Sequence, residues 1–149
     1  MRARPESDTT APGGREACSV RQLRASCRSL AGYMAARYLK AAEIGVGAFP
    51  DVALALVGSG LRVFATDIVP YQYRGLKVVI DDVTAPALAL YTGLDVIYSV
   101  RPPPELIPYL RQLAGKVSAD LIVKPLSGEF PSGGHLTGRA DSAFFLWAH

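Results

Sequence analysis

The sequence contains only two cysteines and two histidines, and it has no run of about 18 apolar residues. If Cys18 and Cys27 lie on one helix, they point about 180° apart and are separated by about 13 Å along its axis, so they cannot form a disulfide. The scattered cysteines and histidines also lack the spacing of a zinc site. We therefore expect reduced thiols, no metal and no membrane span.

The chain also lacks the apolar core of a signal peptide at its start, so we expect a cytoplasmic protein. Residues 1–40 hold eight Arg and Lys against three Asp and Glu, whereas residues 41–149 hold eight against ten. The excess of basic residues is confined to residues 1–40, so the net charge does not argue for nucleic-acid binding by the whole chain. A stripe of Arg21, Arg24 and Arg28 is interpreted as a solvated face, with contact to RNA or phosphate as the alternative.

The composition predicts one domain, because half of the 149 residues are hydrophobic. Residues 1–17 mix Pro, Gly, Ser, Thr and charge and predict a disordered tail before a single domain over residues 18–149. Within it, residues 19–39 predict an amphipathic helix, because apolar residues recur on one face at helical spacing. That face consists of Leu23, Cys27, Leu30, Met34 and Tyr38.

Short apolar runs then alternate with turns and helices. Val78–Ile80 and Leu121–Val123 lack polar alternation, which is typical of strands buried on both faces of a parallel sheet. The link Ile68–Lys77 is too short for a crossover helix, and Pro125–Ser142 is long but rich in Gly and Pro. Strands are predicted at Ala41–Val46, Val63–Asp67, Val78–Asp81, Leu94–Val100, Leu121–Lys124 and Ala143–Trp147, helices at Pro50–Val57 and Pro104–Leu113 with Gly115 as the stop, and a helical turn within Thr84–Tyr91.

This order of elements predicts a three-layer, Rossmann-like α/β fold with helices on both faces of the sheet. The sheet has about six strands and is mostly parallel. The last strand most simply returns antiparallel beside the fifth.

The most informative stretch is the end of the first predicted strand. In a parallel sheet, ligands bind at the carboxyl ends of the strands, where the strand order reverses. Gly45 and Gly47 permit a tight turn and a close ligand approach there. Asp67 ends the second strand, in position to bind ribose hydroxyls, and Asp81 or Asp82 ends the third, near where an adenine amino group could be read. The pattern predicts a pocket for an adenosine-containing ligand; the alternative is a glycine turn with aspartates that only cap loops.

The residues after the turn favour a ligand without phosphate. The third glycine of the dinucleotide fingerprint is missing, since Pro50 stands there and Asp51 follows. Pro50 has no N–H and Asp51 repels anions, which weighs against a pyrophosphate. S-adenosylmethionine carries a sulfonium and an ammonium, and Glu43, just before the glycines, could reach the ammonium group. A degenerate NAD-binding domain is the alternative.

The pattern Glu-x-Gly-x-Gly, then Asp67, then Asp82, resembles the cofactor half of Rossmann-like S-adenosylmethionine-dependent methyltransferases. More narrowly, roughly residues 30–127 resemble a small archaeal family of uncharacterised proteins. The segments that carry this resemblance are Glu43–Asp51, Ala65–Asp67, Asp81–Thr84, Ile97–Leu106 and Val123–Leu126. The resemblance implies a methyltransferase-like fold and no particular activity.

The fourth strand ends where, as the resemblance implies, the methyl group would lie. Amino-methylating members often carry Asp or Asn followed by Pro-Pro and an aromatic residue there, whereas this chain has Arg101 followed by three prolines. That departure argues against methylation of an amino group. As candidates for catalysis, Ser99 could accept a hydrogen bond, Arg101 could hold an anionic substrate and Lys124 could add charge. The loop with Ser127, Glu129 and His135 is interpreted as a lid.

The sequence therefore predicts a protein that binds S-adenosylmethionine, with methyl transfer to an unidentified substrate as its hypothetical activity. Little chain follows the fifth strand to form a substrate cap, so a partner subunit, such as a second copy, or a bound RNA would have to complete the site. A non-catalytic nucleotide-binding or interaction module is the alternative.

Overall fold

The computed structural model describes residues 19–125, 133–138 and 142–149. The predicted tail at residues 1–17, Cys18, and Ser127 and Glu129 of the predicted lid lie outside the described residues. In the described ranges, none of the helices combines the length and apolar character needed to cross a bilayer.

A seven-stranded sheet with the order β3-β2-β1-β4-β5-β7-β6 forms the centre of the fold. The first five strands pair in parallel, and β7 runs antiparallel beside β5, as predicted. The strand order reverses between β1 and β4, which are neighbours in the sheet. The strands are β1 (Lys40–Ile44), β2 (Arg62–Asp67), β3 (Lys77–Ile80), β4 (Val96–Val100), β5 (Asp120–Lys124), β6 (His135–Thr137) and β7 (Phe144–Trp147).

The strand β6 is an additional strand that was not predicted, and it brings the described strands to seven where about six were expected. It lies in the glycine-rich link before β7, pairs antiparallel with β7, and includes His135, which was expected in a loop. The strand is three residues long and two of them are exposed, so the sequence shows no apolar run there. The other strand boundaries differ from the prediction by one or two residues.

Helices cover both faces of the sheet, which confirms the three-layer fold. On one face, α1 (Ala25–Arg37) and α2 (Asp51–Gly58) pack over alternate strand residues such as Tyr98 and Ile122. On the other face, α3 (Ile107–Val117) and a 3-10 turn at Leu88–Tyr91 pack over the intervening strand residues. Residues 68–77, all of them described, form no helix, so β2 and β3 are joined by an irregular link.

The helix α1 begins later than predicted. Its predicted apolar face is confirmed, because all five of its side chains, from Leu23 to Tyr38, are buried. Leu23 and Arg24 have extended backbone angles, however, and separate α1 from a 3-10 turn at Val20–Gln22. Cys27 is buried with a free thiol.

The helix α3 corrects the prediction that Gly115 ends it. A 3-10 turn at Pro104–Leu106 precedes α3, and the helix continues through Gly115 to Val117. Val117 packs against the core, so its burial outweighs the cost of about 1 kcal/mol for a glycine inside a helix. The helix ends at Ser118, which has a left-handed backbone (φ 60°).

Candidate functional site

The glycine turn follows β1 at the carboxyl edge of the sheet, beside the point where the strand order reverses. Gly45 and Gly47 have φ angles of 73° and 56°, a region that side chains other than glycine rarely adopt. The N–H groups of Gly45 and Val46 both donate to the Thr66 carbonyl, at 2.8 and 3.2 Å. No atom lies within 4 Å of an added Cβ at Gly45, so the backbone angle rather than crowding favours glycine there.

Asp67, at the end of β2, contacts this turn directly. Its Oδ2 accepts a hydrogen bond from the Gly47 N–H at 2.9 Å, and its Oδ1 accepts one from the Val69 N–H at 3.0 Å. The structure therefore brings together the glycines and the acidic residue that the sequence predicted as partners. Because a carboxylate oxygen has two lone pairs, each oxygen can accept a further hydrogen bond.

The two acidic residues after β3 have different surroundings. Asp81 is half-buried and accepts hydrogen bonds from the Tyr91 hydroxyl and, at 3.1 Å, from the Ala87 N–H. Asp82 is exposed, and hydrogen bonds from the Thr84 hydroxyl and N–H lower the pKa of its carboxyl group. Asp81 thus fixes the 3-10 turn on the α3 face, whereas Asp82 faces solvent. No group of three His, Cys, Asp or Glu among the described residues is arranged to hold a metal ion.

Glu43 is the buried acidic group of the site. It is 1% exposed, and β1–β4 pairing places it opposite Tyr98. The Glu43 Oε1 atom and the Tyr98 hydroxyl are both buried, and neither meets hydrogen-bond geometry with any described residue. Burial raises the pKa of Glu43 to about 8; the nearby Tyr98 hydroxyl opposes this rise, and the negative charges of Asp51 and Asp67 add to it. Without a ligand, Glu43 is therefore mostly protonated near pH 7, and a cationic group placed beside it would favour its ionised form.

The three candidates for catalysis lie at the same edge but are held differently. Ser99 is buried, and its hydroxyl donates to the Ile44 carbonyl at 2.8 Å. Lys124 is also buried, and its Nζ donates to the Ala143 carbonyl at 3.2 Å. Arg101 is exposed and has a left-handed backbone (φ 54°), which costs a residue with a side chain about 1–2 kcal/mol.

Apolar residues beside Asp67 were missed in the sequence. Ile68 and Val69 follow Asp67 and are 68% and 45% exposed, and Ile80, which pairs with Asp67 in the sheet, is 62% exposed. Exposed branched side chains around a carboxylate provide a surface on which a planar base could lie. The signal available in the sequence for this surface was the pair of apolar residues, Ile68 and Val69, directly after the aspartate that ends β2. Tyr73, whose hydroxyl donates to the Gly47 carbonyl, was also missed.

The strand order and the helices on both faces define a Rossmann-like domain with a methyltransferase-like fold. One similar solved structure is a putative methyltransferase, yhhF, from Escherichia coli, with a TM-score of 0.55 and 12% identity over 81% of this chain and 82% of that chain. Another is monomeric WbdD, with a TM-score of 0.53 and 12% identity over 82% of this chain and 38% of that chain. At these identities, the similarity establishes the fold alone.

The chain belongs to the uncharacterised protein family UPF0146, whose model matches residues 28–145. A family protein of Archaeoglobus fulgidus is 44% identical over 103 residues, which cover 68% of this chain and 79% of that protein. One of Pyrococcus horikoshii is 36% identical over 114 residues, which cover 72% and 87%. The predicted resemblance to a small archaeal family with a methyltransferase-like fold is thereby confirmed.

Proposed function

We propose that this protein binds S-adenosylmethionine at the carboxyl edge of β1, β2 and β3. The observation that carries the proposal is the buried Glu43 carboxyl group, whose Oε1 atom meets hydrogen-bond geometry with none of the described residues and which lies near Asp51 and Asp67. A buried acid is costly unless a counter-charge or hydrogen bond compensates it. The ammonium group of the ligand would donate a hydrogen bond to Glu43 and, as a counter-charge, would favour its ionised form.

The remaining site residues support the same ligand. Asp67 has acceptor capacity for the ribose hydroxyls, and exposed Ile68 and Val69 offer an apolar surface for adenine. The start of α2 suits a pyrophosphate poorly, because Pro50 lacks an N–H and Asp51 occupies the first turn. These features favour S-adenosylmethionine over NAD.

We further propose that the bound cofactor donates its methyl group to a substrate held near the ends of β4 and β5. Methyl transfer depends mainly on the alignment of donor and acceptor, so a site without a general base is compatible with it. Of the three candidate residues, Arg101 is exposed and is assigned to bind the substrate. Ser99 and Lys124 are assigned to position the strand ends, because both donate to backbone carbonyls.

The hydrogen bonds of Ser99 and Lys124 to backbone carbonyls also favour a second candidate function, a non-catalytic module that binds the cofactor without turnover. The two candidate functions differ in whether the labelled methyl group of S-adenosylmethionine is transferred to another molecule. Transfer to an RNA, protein or small-molecule fraction, lost in Arg101→Ala, would support the enzyme. Cofactor binding without transfer to any of these fractions would support the module.

Cofactor binding is tested by calorimetry and by amide NMR spectra with S-adenosylmethionine, S-adenosylhomocysteine and NAD. Asp67→Asn is expected to weaken S-adenosylmethionine binding at least roughly tenfold, which corresponds to the loss of one charge-assisted hydrogen bond. Asp120→Asn is the matched control, since the Asp120 carboxylate also accepts two hydrogen bonds but lies at the opposite edge of the sheet. The proposal is wrong if millimolar S-adenosylmethionine leaves the spectrum unchanged while NAD shifts Gly45 and Asp67.

A further inference from the structure

The first turn of α1 lies at the same sheet edge as the candidate cofactor site. The guanidinium of Arg24 lies 5.8 Å from the centre of the Phe49 ring, and Phe49 is two residues past Gly47. The Ser29 hydroxyl donates to the Ser142 carbonyl at 3.0 Å, which joins α1 to the segment before β7. Because β7 runs antiparallel to β5, that segment lies at the carboxyl edge of the parallel strands.

The contacts continue from this segment to the end of β4. Lys124 Nζ donates to the Ala143 carbonyl, and the Arg101 N–H donates to the Lys124 carbonyl at 2.6 Å. A continuous set of contacts therefore leads from the glycine turn, past the start of α1, to Arg101. A shallow, open depression of about 340 Å³ at the start of α1 has Ala25, Arg28 and Ser29 in its lining.

The charge of this edge is divided into two halves. At the β2 and β3 side, the strand ends carry Asp67, Asp81 and Asp82. At the α1 and β4 side, Arg21, Arg24, Arg28 and Arg101 are all exposed and outnumber the exposed acid Glu105, which follows the prolines after β4. Residues 19–42 contain five Arg and Lys and no Asp or Glu, so no carboxylate within that segment neutralises the arginines. We call these four arginines the basic rim.

We propose that the basic rim binds the phosphodiester backbone of a single-stranded nucleic acid. Arg24 and Arg28 are about 6 Å apart along the start of α1, and Arg21 lies before them in a separate 3-10 turn, so the three arginines form a row rather than a cluster around one phosphate. Guanidinium groups bind phosphate oxygens in bidentate fashion, and a row of them follows a strand of phosphates. The acidic half would repel the same backbone and leave the cofactor site to its cationic ligand.

As a substrate class for methyl transfer, this inference rests on the proposed function; nucleic-acid binding itself does not. Binding is therefore measured without cofactor, by fluorescence anisotropy of a labelled 12-nucleotide single-stranded RNA over a range of salt concentrations. The same DNA sequence is the second arm, and ATP is the competitor. Cofactor affinity is measured separately by calorimetry, so the failure of either proposal can be recognised independently.

The decisive variant is Arg21→Ala/Arg24→Ala/Arg28→Ala. Because each phosphate contact on a single strand contributes about 0.7 to the slope of log affinity against log salt, the triple change is expected to reduce that slope by about 2. The matched control removes three cations at the opposite edge of the sheet, in Arg37→Ala/Lys40→Ala/Arg62→Ala, and should leave the slope nearly unchanged. Thermal melts check folding, and the single change Arg28→Glu gives a second, independent loss of binding.

If the protein binds the RNA more tightly than the DNA, the substrate is RNA. If it binds both with equal affinity, it recognises the phosphodiester backbone alone. Either result supports the proposal. Equal losses in the two triple variants would overturn it, because binding would then follow net charge rather than the basic rim. It is also overturned if ATP displaces the RNA at comparable concentration, since one phosphate site would then suffice. Binding to anionic lipid vesicles with no RNA binding at low salt would point to a membrane surface and overturn it as well.

Discussion

Replacing Glu43 by Gln is expected to remove a large pH dependence from the stability of the protein. In the folded protein, burial with the added charges of Asp51 and Asp67 raises the pKa of Glu43 from 4.5 to about 8. The folded protein therefore keeps a proton that the unfolded chain loses. This favours the folded state fully below about pH 4.5, and the advantage is lost as the pH rises to about 8.

The expected magnitude follows from those two pKa values. At about 1.4 kcal/mol per pKa unit, the loss between pH 4.5 and 8 is on the order of 5 kcal/mol, a large part of the 5–15 kcal/mol typical of a domain. Urea unfolding at pH 5, 6, 7 and 8 measures it. The free energy of unfolding of Glu43→Gln, relative to the natural protein, should rise by about 1.4 kcal/mol per pH unit.

The control for this experiment is Glu105→Gln, which makes the same chemical change at an exposed position. Its free energy of unfolding should follow that of the natural protein across the same pH range. If the difference between Glu43→Gln and the natural protein is constant from pH 5 to 8, Glu43 is not protonated in the folded protein and the reasoning fails.

The remaining predictions concern backbone strain and the glycine turn. Arg101→Gly should raise the free energy of unfolding by up to about 1 kcal/mol, since relief of a left-handed backbone is partly offset by the entropy of glycine, yet it should weaken binding of the single-stranded RNA in fluorescence anisotropy. Ser118→Gly, at the other left-handed residue, should raise it similarly in thermal melts while binding is retained; loss of binding in both variants would contradict a special role for Arg101. Tyr73→Phe removes the hydrogen bond to the Gly47 carbonyl, so it should lower the free energy of unfolding by about 0.5–1.5 kcal/mol and weaken cofactor binding in calorimetry. Tyr71→Phe, in the ring stacked on Tyr73, should change neither quantity. Equal effects of the two changes would exclude the glycine turn as the cause.

The sheet could be predicted because its strands carry strong local signals. Val78–Ile80 and Leu121–Val123 are apolar without alternation, and burial on both faces of a parallel sheet requires that composition. The strand β6 gives no such signal, because it is short, mostly exposed and held by pairing with β7. The end of α3 could not be predicted from the sequence either, because tertiary packing of Val117 overrides the local tendency of Gly115 to end a helix.

The candidate site was predictable in its residues but not in its contacts. Glycines and aspartates at successive strand ends indicate a common edge, because parallel strands share their carboxyl ends. That Asp67 bonds the Gly47 N–H, while Asp81 is turned to Tyr91, depends on side-chain directions that a spacing rule does not contain. The approach of α1 to this edge depends on helix packing over the sheet, so the basic stripe could not be joined to the pocket from the sequence.

Two costs to stability meet at the carboxyl edge, and this favours a ligand over a turn with no binding role. Glu43 is a buried acid with a raised pKa, and Arg101 holds a left-handed backbone where glycine would be less strained. A purely structural turn needs neither feature, because an apolar residue at 43 and glycine at 101 would be more stable. Raised pKa values and backbone strain concentrate at functional sites, where binding or chemistry requires them. Their occurrence on adjacent strands, where a parallel sheet binds its ligands, supports the proposed binding of cofactor and substrate.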